Sequence, residues 1–224
     1  MTMTETTLKA ELDPLPLRLR KLPIDARGYP VPFFVPWIAG PDGVDVPEFR
    51  GMDGRKFTRA VKEKLCWICG EPLGRWLTFP IGPMCAITRT TGEPPSHREC
   101  VEWSVRNCPF LSQPRMVRRD EDIPPDAATA GIALSRNPGV TCEWITRSYE
   151  VFSDHRGLPL LTVGEPETVS WWFEGRAATR AEVEASIDSG MPTLLAAAKV
   201  DGPFAVEQLG RQMERARRLF PTES

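Results

Sequence analysis

Two pairs of cysteine and histidine side chains, each with a spacing of three, constrain this chain more than any other feature. The first pair is Cys66 and Cys69, directly followed by Gly70, and the second is His97 and Cys100. Two thiols at this spacing can point inward from one tight turn and grip a single tetrahedral ion. Gly70 suits such a turn because glycine readily adopts the positive φ that the turn requires.

The second pair is predicted to lie on the first turn of a helix. Ser96 and Glu99 form the Ser-x-x-Glu pattern of a capping box, which predicts a helix that begins at His97, and the two preceding prolines stop it from extending backwards. Residues three apart share one helix face, so His97 and Cys100 should point the same way. We therefore predict one structural site for Zn²⁺, with the ligands Cys66, Cys69, His97 and Cys100.

Two alternatives stay open at this point. Cys66 and Cys69 can also form a redox pair, although that motif should sit near a βαβ pattern, which the sequence does not show. Cys85 can replace His97 as the fourth ligand, with His97 left as a hydrogen-bond donor to the site.

A cysteine knuckle followed by two ligands on the first turn of a helix resembles the treble-clef class of zinc finger. A β-hairpin joins the two halves in that class, and Leu73 to Met84 carries turn residues that suit a short hairpin. The resemblance covers only residues 66 to about 107. It implies metal-ligand roles for Cys66, Cys69, His97 and Cys100, and no activity.

A longer string resembles uncharacterised bacterial and phage-borne proteins. It is carried by Cys-Trp-Ile-Cys-Gly at 66–70, Ile-Gly-Pro-Met-Cys at 81–85, Glu-Pro-Pro-Ser-His at 93–97 and Cys-Pro-Phe-Leu at 108–111. This resemblance also implies no activity.

The composition is that of an ordinary globular chain, with 224 residues, 41% hydrophobic and 26% charged. No apolar run approaches the roughly 20 residues that cross a bilayer. The polar stretch Met1 to Glu11 has no signal-peptide character, so we expect a cytoplasmic location and no contact with a membrane. A reducing compartment favours metal binding over three disulfides for the six cysteines.

We predict an α+β fold: a proline-rich treble-clef zinc module followed by a small antiparallel sheet with two to three helices. Residues 1–120 should hold an N-terminal clasp, Gly28 to Trp37, together with the zinc module. Residues 121–138 are predicted to form a linker, and residues 139–224 are predicted to form an α+β domain. A capping box at Thr179 predicts a helix that stops at Gly190, and two further helices should follow it.

The charge is uneven along the chain, at −1 for residues 1–50, +5 for 51–120 and −6 for 121–224. A basic module of this kind is compatible with binding to nucleic acid. The candidate contact residues are Lys56, Arg59, Arg115, Arg118 and Arg119.

Signatures of catalysis are missing from the sequence. It has no phosphate loop, no Gly-x-Ser-x-Gly and no dinucleotide fingerprint. A nuclease of the ββα-metal type needs further histidine or acidic side chains, but only His155 remains once His97 binds zinc. The leading hypothesis is a non-enzymatic zinc-stabilised binding or adaptor protein that contacts nucleic acid or another protein. The alternatives are a protein-interaction or inhibitor protein of phage or mobile-element type, acting through the clasp or the last helix, and an enzyme with an unrecognised site.

Overall fold

The computed structural model describes residues 8–40, 42–113 and 139–222 of the chain. Antiparallel strands and α-helices occur together in these residues, so the fold is α+β, as the sequence predicts. The strands are β1 (Trp37–Ala39), β2 (Asp45–Pro47), β3 (Leu77–Ile81), β4 (Thr90–Thr91), β5 (Thr141–Thr146), β6 (Tyr149–Ser153), β7 (Pro159–Val163), β8 (Thr168–Phe173) and β9 (Arg176–Ala177).

The helices range from one turn to about six turns in length. They are α1 (Gly54–Glu63), α2 (Pro83–Thr88), α3 (Arg98–Asn107), α4 (Pro109–Ser112), α5 (Arg180–Asp201) and α6 (Pro203–Arg217), with a 3₁₀ turn at Leu19–Lys21. Among these described helices, none combines the length with the apolar composition that a membrane span requires.

Three antiparallel sheets organise the described residues. The largest has the strand order β3-β5-β8-β9, the second has the order β4-β7-β6, and β1 pairs with β2 in a separate hairpin. A tight turn at residues 154–157 joins two antiparallel strands, since Ser153 of β6 pairs with Pro159 of β7. Asp154 holds this turn by accepting backbone hydrogen bonds from Arg156 at 2.8 Å and Leu158 at 2.9 Å.

The hairpin predicted between Leu73 and Met84 is wrong. β3 lies within that stretch, but it pairs along its whole length with β5, from Leu77 opposite Thr146 to Ile81 opposite Cys142. The residues expected to form the turn instead start α2, with Gly82 as its N-cap and Pro83 at the first position, where a missing N–H costs nothing.

The sheets connect the two predicted domains. β3 and β4 precede residues 121–138, whereas their partners β5 and β7 follow them. The predicted linker itself lies outside the described residues. The division into residues 1–120 and 139–224 stays a prediction, and the strand pairing shows that any such division would run through two sheets.

The main core lies between one face of the large sheet and the helices α2, α5 and α6. Phe79 of β3 and Trp144 of β5 are paired neighbours on this face, and both are buried. Leu209 and Ala216 of α6 are buried in the same cluster, so this helix packs one apolar face against the core.

Helix α5 begins as predicted but continues further. The Thr179 side chain accepts from the Glu182 backbone, and the Glu182 side chain reaches back to Thr179, so the capping box is confirmed. The predicted stop at Gly190 is wrong, because one helix runs through Pro192 to Asp201. Gly190 serves close packing instead: a Cβ there would lie 3.0 Å from the Met84 side chain of α2.

Candidate metal centre

Four predicted ligands come together in the structure. The donor atoms of Cys66, Cys69, His97 and Cys100 all lie within 4.8 Å of one another, so this Cys₃His group can hold a metal ion. The Sγ atom of Cys69 lies 3.4 Å from Nδ1 of His97. A tetrahedral zinc with ordinary bond lengths separates a sulfur and a nitrogen ligand by about 3.5 Å. The spacing of the donors therefore fits such an ion.

The first two ligands lie on a tight knuckle. The Cys66 backbone N–H donates to the Glu71 carbonyl and the Gly70 N–H donates to the Cys66 carbonyl, each at 2.8 Å. Gly70 has a φ of +74°, the left-handed conformation predicted for it. The backbone N–H groups of Cys69 and His97 both point at Sγ of Cys66, at 3.4 Å each. Such donors stabilise a thiolate, which is the form that binds metal.

The other two ligands lie at the start of α3, but the capping box predicted there is wrong. His97, not Ser96, is the N-cap residue, and it makes no side-chain cap. The backbone of Ser96 is instead paired with Thr78 of β3 through two hydrogen bonds of 3.0 and 2.8 Å. This pairing extends the chain at Ser96 and delays the helix by one residue. Cys100 still lies on the first turn of the helix.

The imidazole of His97 is oriented by a backbone carbonyl. Its Nε2 atom lies 3.0 Å from the oxygen of Pro72, which can only accept a hydrogen bond. Nε2 therefore carries a proton, and Nδ1, which faces Cys69, is the nitrogen that would give its lone pair to a metal ion in place of a second proton. A carbonyl behind a metal-binding histidine is the usual way in which the ring and its tautomer are fixed.

Hydrogen bonding within the group shifts the pKa values of Cys66, His97 and Cys100. Burial opposes ionisation of Cys66, but hydrogen bonds from Cys100, Cys69 and His97 outweigh it and lower the pKa of Cys66. Hydrogen bonding with the Cys66 and Cys69 sulfurs raises the pKa of Cys100. The same two sulfurs raise the pKa of His97 to about 10, although desolvation of the imidazole acts in the opposite direction. Protons and a divalent cation thus compete for the same donor atoms.

The predicted clasp packs on the knuckle. The Phe33 N–H donates to the Ile68 carbonyl at 2.7 Å, and the Phe34 ring stacks on Trp67 with centroids 5.3 Å apart. The Phe33 ring lies so close to Gly70 that a Cβ on this glycine would be 2.8 Å from it. Gly70 is therefore required twice, for its φ and for its lack of a side chain.

A second N-terminal contact was not predicted. Arg18 donates to Glu71 of the knuckle at 2.6 Å and to Glu99 of α3 at 2.7 Å, so it joins the two halves of the metal centre. Lys21 adds a further ion pair to Glu71 at 2.6 Å. Leu19 between them is fully buried in a cluster that includes Cys66 and Cys100. Alternation of leucine with basic residues was the available signal, but it does not identify the acidic partners.

A buried carboxylate lies between α3 and the large sheet. Glu143 of β5 is 1% exposed and accepts from Nε1 of Trp172 at 3.0 Å. Its other oxygen is 3.4 Å from Arg98 Nε, close enough for an ion pair but without hydrogen-bond geometry. Burial raises the pKa of Glu143. This carboxylate connects the sheet to the helix that carries two of the metal donors.

The predicted nucleic-acid contacts are used within the protein where the structure describes them. Lys56 is half-buried and donates to the Val35 carbonyl at 2.7 Å, and burial lowers its pKa. Arg59 pairs with Glu63 at 3.1 Å, and both Lys56 and Arg59 lie over the Phe33 ring. The other three candidates, Arg115, Arg118 and Arg119, lie outside the described residues. Contact of the five with nucleic acid stays a prediction.

Cys85 does not belong to the Cys₃His group. It lies in α2 against the main core, and burial raises its pKa to about 11. Cys108 and Cys142 likewise have raised pKa values because they are buried. His155 is exposed in the turn between β6 and β7, where nothing suggests a role in chemistry.

Comparisons with protein-family models, with curated proteins and with solved structures found no match for this chain. The resemblance to treble-clef modules and to phage-borne proteins therefore stays a prediction, and the possible metal-binding group is identified by its geometry.

Proposed function

We propose that Cys66, Cys69, His97 and Cys100 hold one zinc ion in a closed structural site, and that the chain is a zinc-stabilised binding or adaptor protein. The observation that carries this proposal is the convergence of four protein donors with a fixed imidazole tautomer. Three thiolates and one imidazole favour zinc over hard cations such as Mg²⁺ and Ca²⁺, which prefer oxygen ligands.

A structural role fits this donor set better than a catalytic one. Catalytic zinc keeps one position open for water or substrate, whereas four protein ligands complete a tetrahedron. Cys66 and Cys100 are each fully buried and Cys69 and His97 are partly buried, so solvent can reach at most two of the four donors. The ion would act by holding the knuckle, α3 and the N-terminal segment together.

The surroundings of the site support the treble-clef comparison. A knuckle precedes the donors on α3, and the antiparallel pair of Thr78 and Ser96 brings the chain back between them. This pair occupies the place of the hairpin in that class, with α2 and β4 inserted between its two arms. In this proposal the module is an elaborated treble clef whose hairpin strand also belongs to a larger sheet.

A binding role follows from the same features. A closed metal site performs no chemistry itself, and the basic charge of residues 51–120 favours an anionic partner such as nucleic acid. A protein partner is the second candidate, favoured by Trp37 and Val46, which are 42% and 40% exposed on the β1–β2 hairpin. In a pull-down, the wild type should retain such a protein partner and the Trp37→Ala variant should not.

Metal analysis tests the zinc site directly. Purified protein should contain one zinc per chain, and Co²⁺ in its place should give the thiolate charge-transfer absorption of a Cys₃His site. A Cys69→Ser/Cys100→Ser variant should lose both signals. Cys108→Ser is the matched control, because it removes a thiol that is not part of the group, and it should keep the metal.

The opposite results would overturn the proposal. They are protein that contains no zinc after purification without chelators, or zinc that remains bound at full stoichiometry in the double variant.

A further inference from the structure

An exposed tryptophan lies between two arginines where β3 begins. Trp76 is 47% exposed, and the guanidinium carbons of Arg75 and Arg147 lie 5.6 and 4.8 Å from the centroid of its ring. Both distances are within the range of cation–π attraction. We call these three residues the Trp76 surface.

The large sheet holds this surface in place. Leu77 and Thr146 form the first pair of the β3–β5 ladder, so Trp76 and Arg147 leave the sheet side by side at the same end. Arg147 is also held by an ion pair of 2.7 Å to Glu167, whose backbone N–H donates to the Ile145 carbonyl of β5. The ring and its cations thus lie directly beside the ends of two paired strands.

Further positive charge lies nearby. Arg75 is exposed and has no carboxylate partner among the residues that the structure describes. Lys64 is exposed as well, and its carbonyl accepts from the N–H of Leu73, two residues before Arg75, at 2.8 Å. Glu167 is the acidic residue that pairs with this group.

We propose that the Trp76 surface binds single-stranded nucleic acid, with a base stacked on the indole and backbone phosphates paired with Arg75 and Arg147. Single-strand binders combine these two elements, an aromatic ring for stacking and cations that follow the backbone. The inference rests on the proposed binding function and names its partner and its surface.

The second exposed tryptophan shows why the neighbours matter. Trp37 is 42% exposed, similar to Trp76, but it lies on a hairpin with the exposed apolar side chains Val44 and Val46. An exposed ring among aliphatic groups suits an apolar partner. The ring of Trp76 lies among cations, and a polyanion with flat bases suits it better.

Glu167 makes the two proposed phosphate contacts unequal in strength. A phosphate that reaches Arg147 must compete with the Glu167 carboxylate, whereas Arg75 has no such competitor in the described part of the chain. Arg75 is therefore the main phosphate contact in this proposal. Removing the competing charge with Glu167→Gln should strengthen binding.

The test uses the zinc-loaded full chain and a fluorescent oligothymidylate of about 15 nucleotides, followed by anisotropy between about 50 and 200 mM salt. Trp76→Ala should weaken binding about tenfold, in keeping with the loss of one stacked base. The slope of log K against log salt is negative. Arg75→Gln should make it less negative by about 0.7, the value for one phosphate contact on a single strand. The matched controls Trp37→Ala and Lys199→Gln should bind like the wild type.

Three results would overturn the inference: a wild type that does not bind the oligonucleotide, a Trp76→Ala variant with unchanged affinity, or polyglutamate that displaces the oligonucleotide at equal charge concentration. The last result would identify an acidic protein as the better partner. Zinc content is measured on every variant. A chain that holds one zinc but binds no oligonucleotide refutes this inference and leaves the proposed zinc site standing. If Trp76→Ala does not fold, Arg75→Gln and Glu167→Gln still decide the question.

Discussion

The Nε2 atom of His97 lies 3.0 Å from the carbonyl oxygen of Pro72, and this contact determines which ring nitrogen can face the other three donors. Pro72 follows the knuckle, so the segment that carries the first two cysteines also orients the histidine of α3. The backbone of one half of the site thus orients a donor of the other half without any contribution from an ion.

The first prediction concerns the tautomer of His97. In zinc-loaded protein, Nδ1 should be the metal ligand and Nε2 should carry the proton that is donated to Pro72. The ¹⁵N chemical shifts of labelled histidine would report this, and the spectrum is simple because the chain has two histidines. His155 is exposed in a turn and serves as the internal reference. Coordination through Nε2 would contradict the assigned geometry.

The second prediction separates the two requirements at Gly70. Gly157 has a similar φ of +79°, but a Cβ there would meet nothing within 4 Å. Gly157→Ala should therefore lose about 1 kcal/mol for the backbone alone. Gly70→Ala should lose about 2 kcal/mol more, since its new methyl group meets the Phe33 ring at 2.8 Å. Urea unfolding measures the free energy of unfolding of both variants. Equal losses would show that the Phe33 ring of the clasp does not restrict the side chain at position 70.

The third prediction tests whether the N-terminal segment covers the metal centre. Leu19 is fully buried beside Cys66 and Cys100, while Leu17 is 71% exposed. Leu19→Ala should destabilise the protein by about 2–5 kcal/mol and speed the transfer of zinc to a chelator. Leu17→Ala should change stability by less than about 0.5 kcal/mol. Similar chelation rates in the two variants would argue against a covering role.

The fourth prediction is a pH dependence at the capping box of α5. Hydrogen bonding from Arg176, and then from Thr179, lowers the pKa of Glu182 to about 2. A carboxyl with a lowered pKa stabilises the fold above its unfolded value of about 4.3 and loses that effect as the pH falls through the folded value. The gap in unfolding free energy between the wild type and Glu182→Gln should therefore stay level from pH 7 to about 5 and narrow as the pH is lowered from about 4 towards 2. A constant gap would contradict the assignment.

The convergence of the four candidate ligands was predictable from the sequence because its signals are local. Local spacing decides which way each pair of side chains points. Two thiols on one knuckle point to the same side, and so do a histidine and a cysteine three residues apart at a helix start. The sequence also favours His97 as the fourth ligand, but excluding Cys85 needed the fold, because the position of Cys85 against the main core depends on how α2 packs.

The strand pairing could not be predicted in the same way. β3 has buried residues on both faces, for example the neighbours Thr78 and Phe79, and nothing near it in sequence identifies β5 as its partner. The capping box at Ser96 failed for a related reason, because a long-range backbone pair with Thr78 replaced a local side-chain cap. Gly190 was mistaken for a helix end because its role, contact with Met84, lies in another helix.

The pairing of β3 with β5 also has a consequence during translation. All four candidate ligands are synthesised before Thr141, the first residue of β5, and at about 5–20 residues per second the ribosome needs several seconds to make the segment between them. During that interval the nascent chain can close its metal site while one edge of β3 still lacks its neighbour. An open strand edge invites pairing with other chains, so early zinc capture by the knuckle and α3 would limit how far this unfinished half can unfold and aggregate on the ribosome.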